Sequence, residues 1–420
     1  MKTKIFLTAI ISAASFSLRA QTPVNGQSID VKMLKKHIAF LADDKLEGRG
    51  TGSEGETKAS AYITVNFKKD GLKPYGRTDA KGSYFLFPFK FKYHTDPKDT
   101  TSVLQERTGN DVVGFLDNGA ENTIVIGAHY DHLGLGHDHN SLDANPEGKI
   151  HNGADDNASG VAGVLELARY YSNNNVKEKY NFLFICFSGE ELGLYGSKKY
   201  CENPTIDLKK VDCMINMDMI GRMADSTHKL IIYGVGTAPD FVPMIDKIVT
   251  EFSVKKDSAG IGPSDQTSFY LKDIPVLHFF TGQHADYHKP SDDADKINYF
   301  GEKAVLEYII EVITAIDKLP KLQFLTTRNP EMGKSKYKVT MGVMPDYTFE
   351  GKGMRVDGVS EGKPASKAGV QKGDIITKLG DTPVGSTMDY MKGLSNYKKG
   401  DTAELTIMRD GKEIKLKVTF

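Results

Sequence analysis

Residues 181–191 read NFLFICFSGEE, an uncharged apolar run that stops at Gly189 and two adjacent carboxylates, Glu190 and Glu191. A run that is apolar throughout, rather than at every second residue, is the pattern of a strand buried on both faces. The same pattern recurs in TIVIGAH (123–129), CMINMDMIG (213–221), KLIIYGVG (229–236) and IPVLHFF (274–280). Between the first two runs lies SGVAGVLELARYY (159–171), which has helical spacing and Ser159 as its expected N-cap. Strands of this kind separated by helices predict an α/β fold with a mostly parallel central sheet flanked by helices. Functional sites of such sheets lie beyond the carboxyl ends of the strands.

Those ends carry an unusual set of side chains. His129 and Asp131 stand in GAHYDHLG, Asp155 and Asp156 in HNGADDNASG, Asp218 in INMDMIG and His288 in ADYHKPSDD, in addition to the Glu190–Glu191 pair. Imidazole mixed with carboxylate suits Zn²⁺, and the carboxylates are too many for one tetrahedral ion. Two ions sharing a bridging ligand would use them all and could activate one water between them.

In their order along the chain, GAHYDH, GADDNASG, GEELGLYGS, NMDMIG and the pair Tyr287–His288 resemble the secreted bacterial di-zinc aminopeptidases, over about residues 30–320. The resemblance implies two Zn²⁺ per chain, one held by His129 and Asp218, the other by Glu191 and His288, with Asp156 bridging. It assigns Glu190 as the general base toward the water between the ions, and Asp131 as the carboxylate that orients His129 through its second ring nitrogen. Tyr287 matches a tyrosine that donates to the developing oxyanion, and the Asp156–Asn157 peptide is expected to be cis. His132, His137, His139, His151 and His284 match no ligand and read as loop or substrate-side groups. Ser264-Asp265-Gln266 departs from the Ser-Asp-His of many relatives and is expected to border the substrate pocket. The implied activity is removal of the N-terminal residue from peptides with a free amine. A glutaminyl cyclase-like transferase and a non-catalytic peptide-binding ectodomain are the alternatives on the same fold.

The rest of the chain frames this domain. MKTKIFLTAIISAASFSLRA (1–20) has lysines, an apolar stretch and a small residue at its end, which reads as a signal peptide and so as export to a periplasm or the exterior. The stretch is short for a stable membrane span. Lys+Arg 54 against Asp+Glu 55 gives no electrostatic footprint for nucleic acid. Three cysteines, Cys186, Cys201 and Cys213, do not make a disulfide framework, and a Cys201–Cys213 bridge is left open. The predicted catalytic domain spans 21–320, and 321–335, polar with Pro320 just before it and Pro330 within it, reads as a linker. Residues 336–420 carry short strands and the stretch PASKAGVQKGDII, which resembles a PDZ domain. That resemblance implies a small, mainly β domain that takes a peptide or protein C-terminus as an added strand, with Phe349–Met354 as the expected carboxylate loop.

Overall fold

The computed structural model describes residues 28–94, 104–327 except His139 and Ala144, and 339–420 except 346–348, 350, 360–362 and 386. The signal peptide reading and 328–335 of the linker lie outside the described residues.

One nine-stranded sheet organises the larger unit, formed by β1 (Lys73–Pro74), β2 (Leu86–His94), β3 (Leu104–Leu116), β4 (Thr123–His129), β5 (Asn181–Phe187), β6 (Val211–Met217), β7 (Lys229–Tyr233), β8 (Ser253–Lys256) and β9 (Val276–Phe280). Its order is β1-β3-β5-β4-β6-β9-β7-β8, with β2 paired to β3. The middle, β5-β4-β6-β9, is parallel throughout, and every residue of β4, β5 and β6 is buried. Continuous apolar composition is what two covered faces require.

The flanks differ. β7 runs antiparallel to β9, and β3 antiparallel to both β5 and β2. The β2–β3 ribbon needs only one buried face at its outer end, and its FPFKFKY alternation reflects that.

Helices α1 (Val31–Leu41), α2 (Glu54–Lys69), α3 (Gly160–Asn173), α4 (Tyr195–Glu202), α5 (Gln266–Tyr270) and α6 (Tyr299–Ile316) flank the sheet. In α3, Tyr171 stacks on Phe182 of β5 with ring centroids 4.3 Å apart. Complete burial of a ring such as Phe182 contributes about 1.5–3 kcal/mol. The expected Ser159 cap is not formed. A tight turn, Ala154–Ser159, leads into α3, and Ser159 already has helical angles. Its hydroxyl donates back to the Asp155 carbonyl at 2.8 Å, while Asn157 Oδ1 accepts from Gly160 N at 2.9 Å. Within this turn the Asp156–Asn157 peptide is cis.

The smaller unit is a six-stranded antiparallel sheet of β10 (Val343–Pro345), β11 (Met354–Val359), β12 (Ile375–Leu379), β13 (Thr402–Arg409) and β14 (Lys412–Thr419) in that order, with the short strand Thr382–Pro383 on β12. It carries α7 (Pro364–Ala368) and α8 (Thr387–Leu394), and β10 is an edge. The expected carboxylate loop, Phe349–Met354, connects β10 to β11, with Glu350 outside the described residues. All three cysteines are buried and free, so Cys201 and Cys213 are not bridged. Among the described residues, no helix is long and apolar enough to cross a membrane.

Candidate metal centre

Parallel pairing of β5, β4 and β6 puts three carboxyl ends side by side, and four of the candidate donors sit on them. His129 is the last residue of β4, Glu190 and Glu191 follow β5, and Asp218 follows β6. Asp156 lies in the turn before α3, and His288 in the segment between β9 and α6. Two of the neighbouring backbones, Met219 and His288, have φ of +51° and +54°, values an L-residue holds only where its surroundings enforce them.

Asp156 stands between the two imidazoles. Its Oδ1 is 3.4 Å from His129 Nε2 and its Oδ2 is 3.2 Å from His288 Nε2. Asp218 Oδ1 comes within 3.6 Å of His129 Nε2, and Glu191 Oε2 within 3.2 Å of His288 Nε2. The five residues expected as ligands therefore converge as two half-sites on one shared carboxylate. Glu190 Oε2 is 3.9 Å from His129 Nε2. Donor atoms of His129, Glu190 and Asp218 lie within 4.8 Å of one another, as do those of His132, Asp156 and Glu191. Such crowding of anionic oxygens around imidazole nitrogens fits a pair of divalent cations with N/O preference.

The adjacent glutamates occupy opposite electrostatic settings. Burial pushes the Glu190 carboxyl well above its ordinary range against the attraction of His129, and the neighbouring charges of Glu191 and Asp218 push the same way. Burial also disfavours ionised Glu191, but His288 and His132 outweigh it and hold that carboxyl down at about 2. Asp156 is likewise held well below its usual range by His129, His132 and His288 in spite of its burial.

The surrounding groups fix these side chains in ways the sequence left unassigned. Asp131 is not hydrogen-bonded to His129 through its carboxylate, which is 3.7 Å away; His129 Nδ1 instead meets the Asp131 carbonyl at 3.1 Å. The Asp131 carboxylate accepts from Glu190 N at 3.1 Å and from the Thr51 hydroxyl at 2.8 Å, so it holds the backbone of the glutamate pair. His132, read as a loop or substrate-side group, is only 2% exposed, and its Nδ1 is 2.6 Å from Glu191 Oε1, while Oε2 is the oxygen 3.2 Å from His288 Nε2. Asp292 Oδ2 accepts from the amides of both Asp155 and Asp156 at 3.0 Å. His288 Nδ1 faces the Asn140 carbonyl at 3.0 Å, and Tyr287 stacks on the His288 ring at 3.9 Å between centroids.

The remaining histidines spread out. His284 Nε2 is 3.1 Å from Asp155 Oδ2, buried His151 is 2.8 Å from Ser141 Oγ, and exposed His137 pairs with Glu147. His139 is outside the described residues. Ser264, Asp265 and Gln266, expected to border the substrate pocket, are not exposed to solvent. All three are fully buried, and Ser264 and Gln266 accept from Asn216 Nδ2 on β6, two residues before Asp218.

Residues 111–313 match Peptidase family M28, and residues 330–420 match the PDZ domain. The leupeptin-inactivating enzyme 1 of Streptomyces exfoliatus is 28% identical over 56% of this chain and 50% of its own length. The chain spans about half the length of the curated relatives it matches. Among solved structures, BSAP, a zinc aminopeptidase from Bacillus subtilis, aligns with TM-score 0.51 at 17% identity or less, covering 71% of this chain and 98% of that one. A glutaminyl cyclase from Bacteroides thetaiotaomicron bound to N-acetylhistamine aligns with TM-score 0.53 at 18% identity, covering 68% and 98%. At this identity the likeness concerns the fold alone.

Proposed function

With an M28 peptidase domain over residues 111–313 and a PDZ domain over 330–420 as the premise, we propose that this chain is an exported, zinc-dependent aminopeptidase. The catalytic unit is taken as 21–320, joined by 321–335 to a peptide-binding unit, 336–420. The observation that carries the reading is Asp156, with one oxygen turned to His129 and the other to His288. His129 and Asp218 would hold one zinc, Glu191 and His288 the second, and Asp156 both. When bound, the zinc pair supplies a water of lowered pKa and polarises the scissile carbonyl.

The protein's own groups do the rest. Glu190, 3.9 Å from His129 Nε2, accepts the proton of the attacking water and returns it to the leaving amine. Asp131 holds the Glu190 amide, which fixes where that carboxylate points. Tyr287, whose hydroxyl burial keeps protonated, donates to the oxyanion. Export rests on residues 1–20, and the edge strand β10 is where a peptide would add to the second unit.

The test is hydrolysis of aminoacyl reporter substrates. Release should stop with a chelator, return with zinc, and fail on substrates whose amine is blocked; release that survives chelation would sink the reading. A glutaminyl cyclase-like transferase is the second reading, favoured by the neighbouring structure named above. It would form pyroglutamyl product from an N-terminal glutamine peptide and would leave leucyl reporters intact. A non-catalytic ectodomain would do neither, and this chain keeps a full donor set.

A further inference from the structure

Arg49 carries no assigned role, yet it lies fully buried at the end of the Asp44–Arg49 turn with φ of +51°. A buried guanidinium is costly unless its N–H groups are matched. Here the acceptors are backbone carbonyls, and they come from separate parts of the chain. Nε donates to Tyr130 at 2.8 Å, Nη1 to Leu41 and to Asn152 at 2.7 Å, and Nη2 to Gly153 at 3.0 Å.

Two of those segments carry the candidate ligands. Tyr130 follows His129 directly, and Gly153 starts the turn that carries Asp156. The turn has no slack at that point. Gly153 has φ of +56°, and a Cβ there would stand 2.1 Å from the Asp156 carbonyl. The backbone around Arg49 adds to the same connection, with His132 N donating to Arg49 O at 3.2 Å and Gly134 N to Gly48 O at 3.1 Å. Burial lowers the guanidinium pKa to about 10, so it stays charged at neutral pH, and the carboxylates of Asp131, Asp156, Asp292 and Glu191 oppose that lowering. Two of those carboxylates, Asp156 and Glu191, are candidate metal ligands.

Building on the di-zinc reading above, we propose that Arg49 is a positioning residue for the metal pair: one rigid planar group ties the end of β4 to the Asp156 turn and sets the spacing of His129 from the shared carboxylate. Lysine could not replace it, because a single ammonium cannot reach four carbonyls in fixed directions.

The test uses Arg49→Lys and Arg49→Met in the full chain, beside the wild type. Zinc affinity by chelator competition should fall about 10- to 100-fold, the usual cost of losing a group that orients ligands. The visible spectrum of the cobalt-substituted protein should change, and the rise in Tm on adding zinc should shrink. A purely structural role would lower Tm equally with and without zinc and leave affinity and spectrum alone. Folded variants with wild-type affinity and cobalt spectrum would overturn the proposal.

If neither variant folds, the wild type still decides. Coupling is reciprocal, so metal binding must stabilise the brace in return. Chelation should speed hydrogen exchange in residues 41–53 together with 126–134 and 150–158. Unchanged protection of 41–53 would refute the brace. A wild type that binds no zinc at all would instead refute the metal reading on which it rests.

Discussion

Glu190 and Glu191 are chemically identical neighbours, and their surroundings give them different work. Glu190→Gln keeps shape and removes the base, so two zincs should still load while turnover falls about 10²- to 10⁴-fold. Glu191→Gln removes a donor 3.2 Å from His288 Nε2, so zinc content should drop toward one per chain. Elemental analysis beside turnover separates the two; zinc loss in the first variant and retention in the second would reverse the assignment. His132→Gln belongs with these. Loss of the imidazole that fixes Glu191 Oε1 should weaken the second zinc about 10-fold or more while the first stays put. Of the motif residues, His129, Glu190, Glu191 and Asp218 were legible in the sequence because they end apolar runs, and Asp156 and His288 because they stand in motifs that carry the family resemblance. His132, Thr51 and Arg49 were not, since their meaning lies in contacts such as Arg49 to Gly153, 104 residues apart, that leave no local pattern.

At the scale of elements, the segment leading into α2 sets a pH dependence. Ser53 caps α2 by accepting from Glu56 N at 3.1 Å, and Glu56 reaches back to Gly52 N and across to the Ser188 hydroxyl. Burial raises the Glu56 carboxyl from 4.5 to about 8, against the pull of Ser188 and Gly52. Between those values the folded chain holds a proton that the unfolded chain releases, so this group's stabilising contribution is full below about pH 4.5 and is lost as pH rises through 8. Glu56→Gln should flatten that fall. Urea midpoints of zinc-free wild type and variant at pH 5 and pH 8 should diverge as pH rises, by an energy on the order of a few kcal/mol; parallel profiles would contradict the argument. The central strands were readable as elements because two covered faces demand continuous apolar sequence. The antiparallel direction of β7 and the internal bonding of Ser159 were not, because strand direction and turn geometry are settled by packing rather than by composition.

For the whole molecule, the modular reading holds that all matched donors lie before residue 320. Deleting 336–420 should therefore leave hydrolysis of small aminoacyl substrates within about 2- to 3-fold of the full chain, the scatter usual for contributions from outside a site. A truncated, folded protein with no activity on such substrates would end that division of labour. The central claim, two metal ions sharing Asp156, is tested most directly by a titration. After chelation and dialysis, zinc is added back in measured equivalents while reporter hydrolysis is followed. The expected result is recovery that saturates at two zincs per chain; activity that persists without zinc, or that is complete at one, would contradict the account.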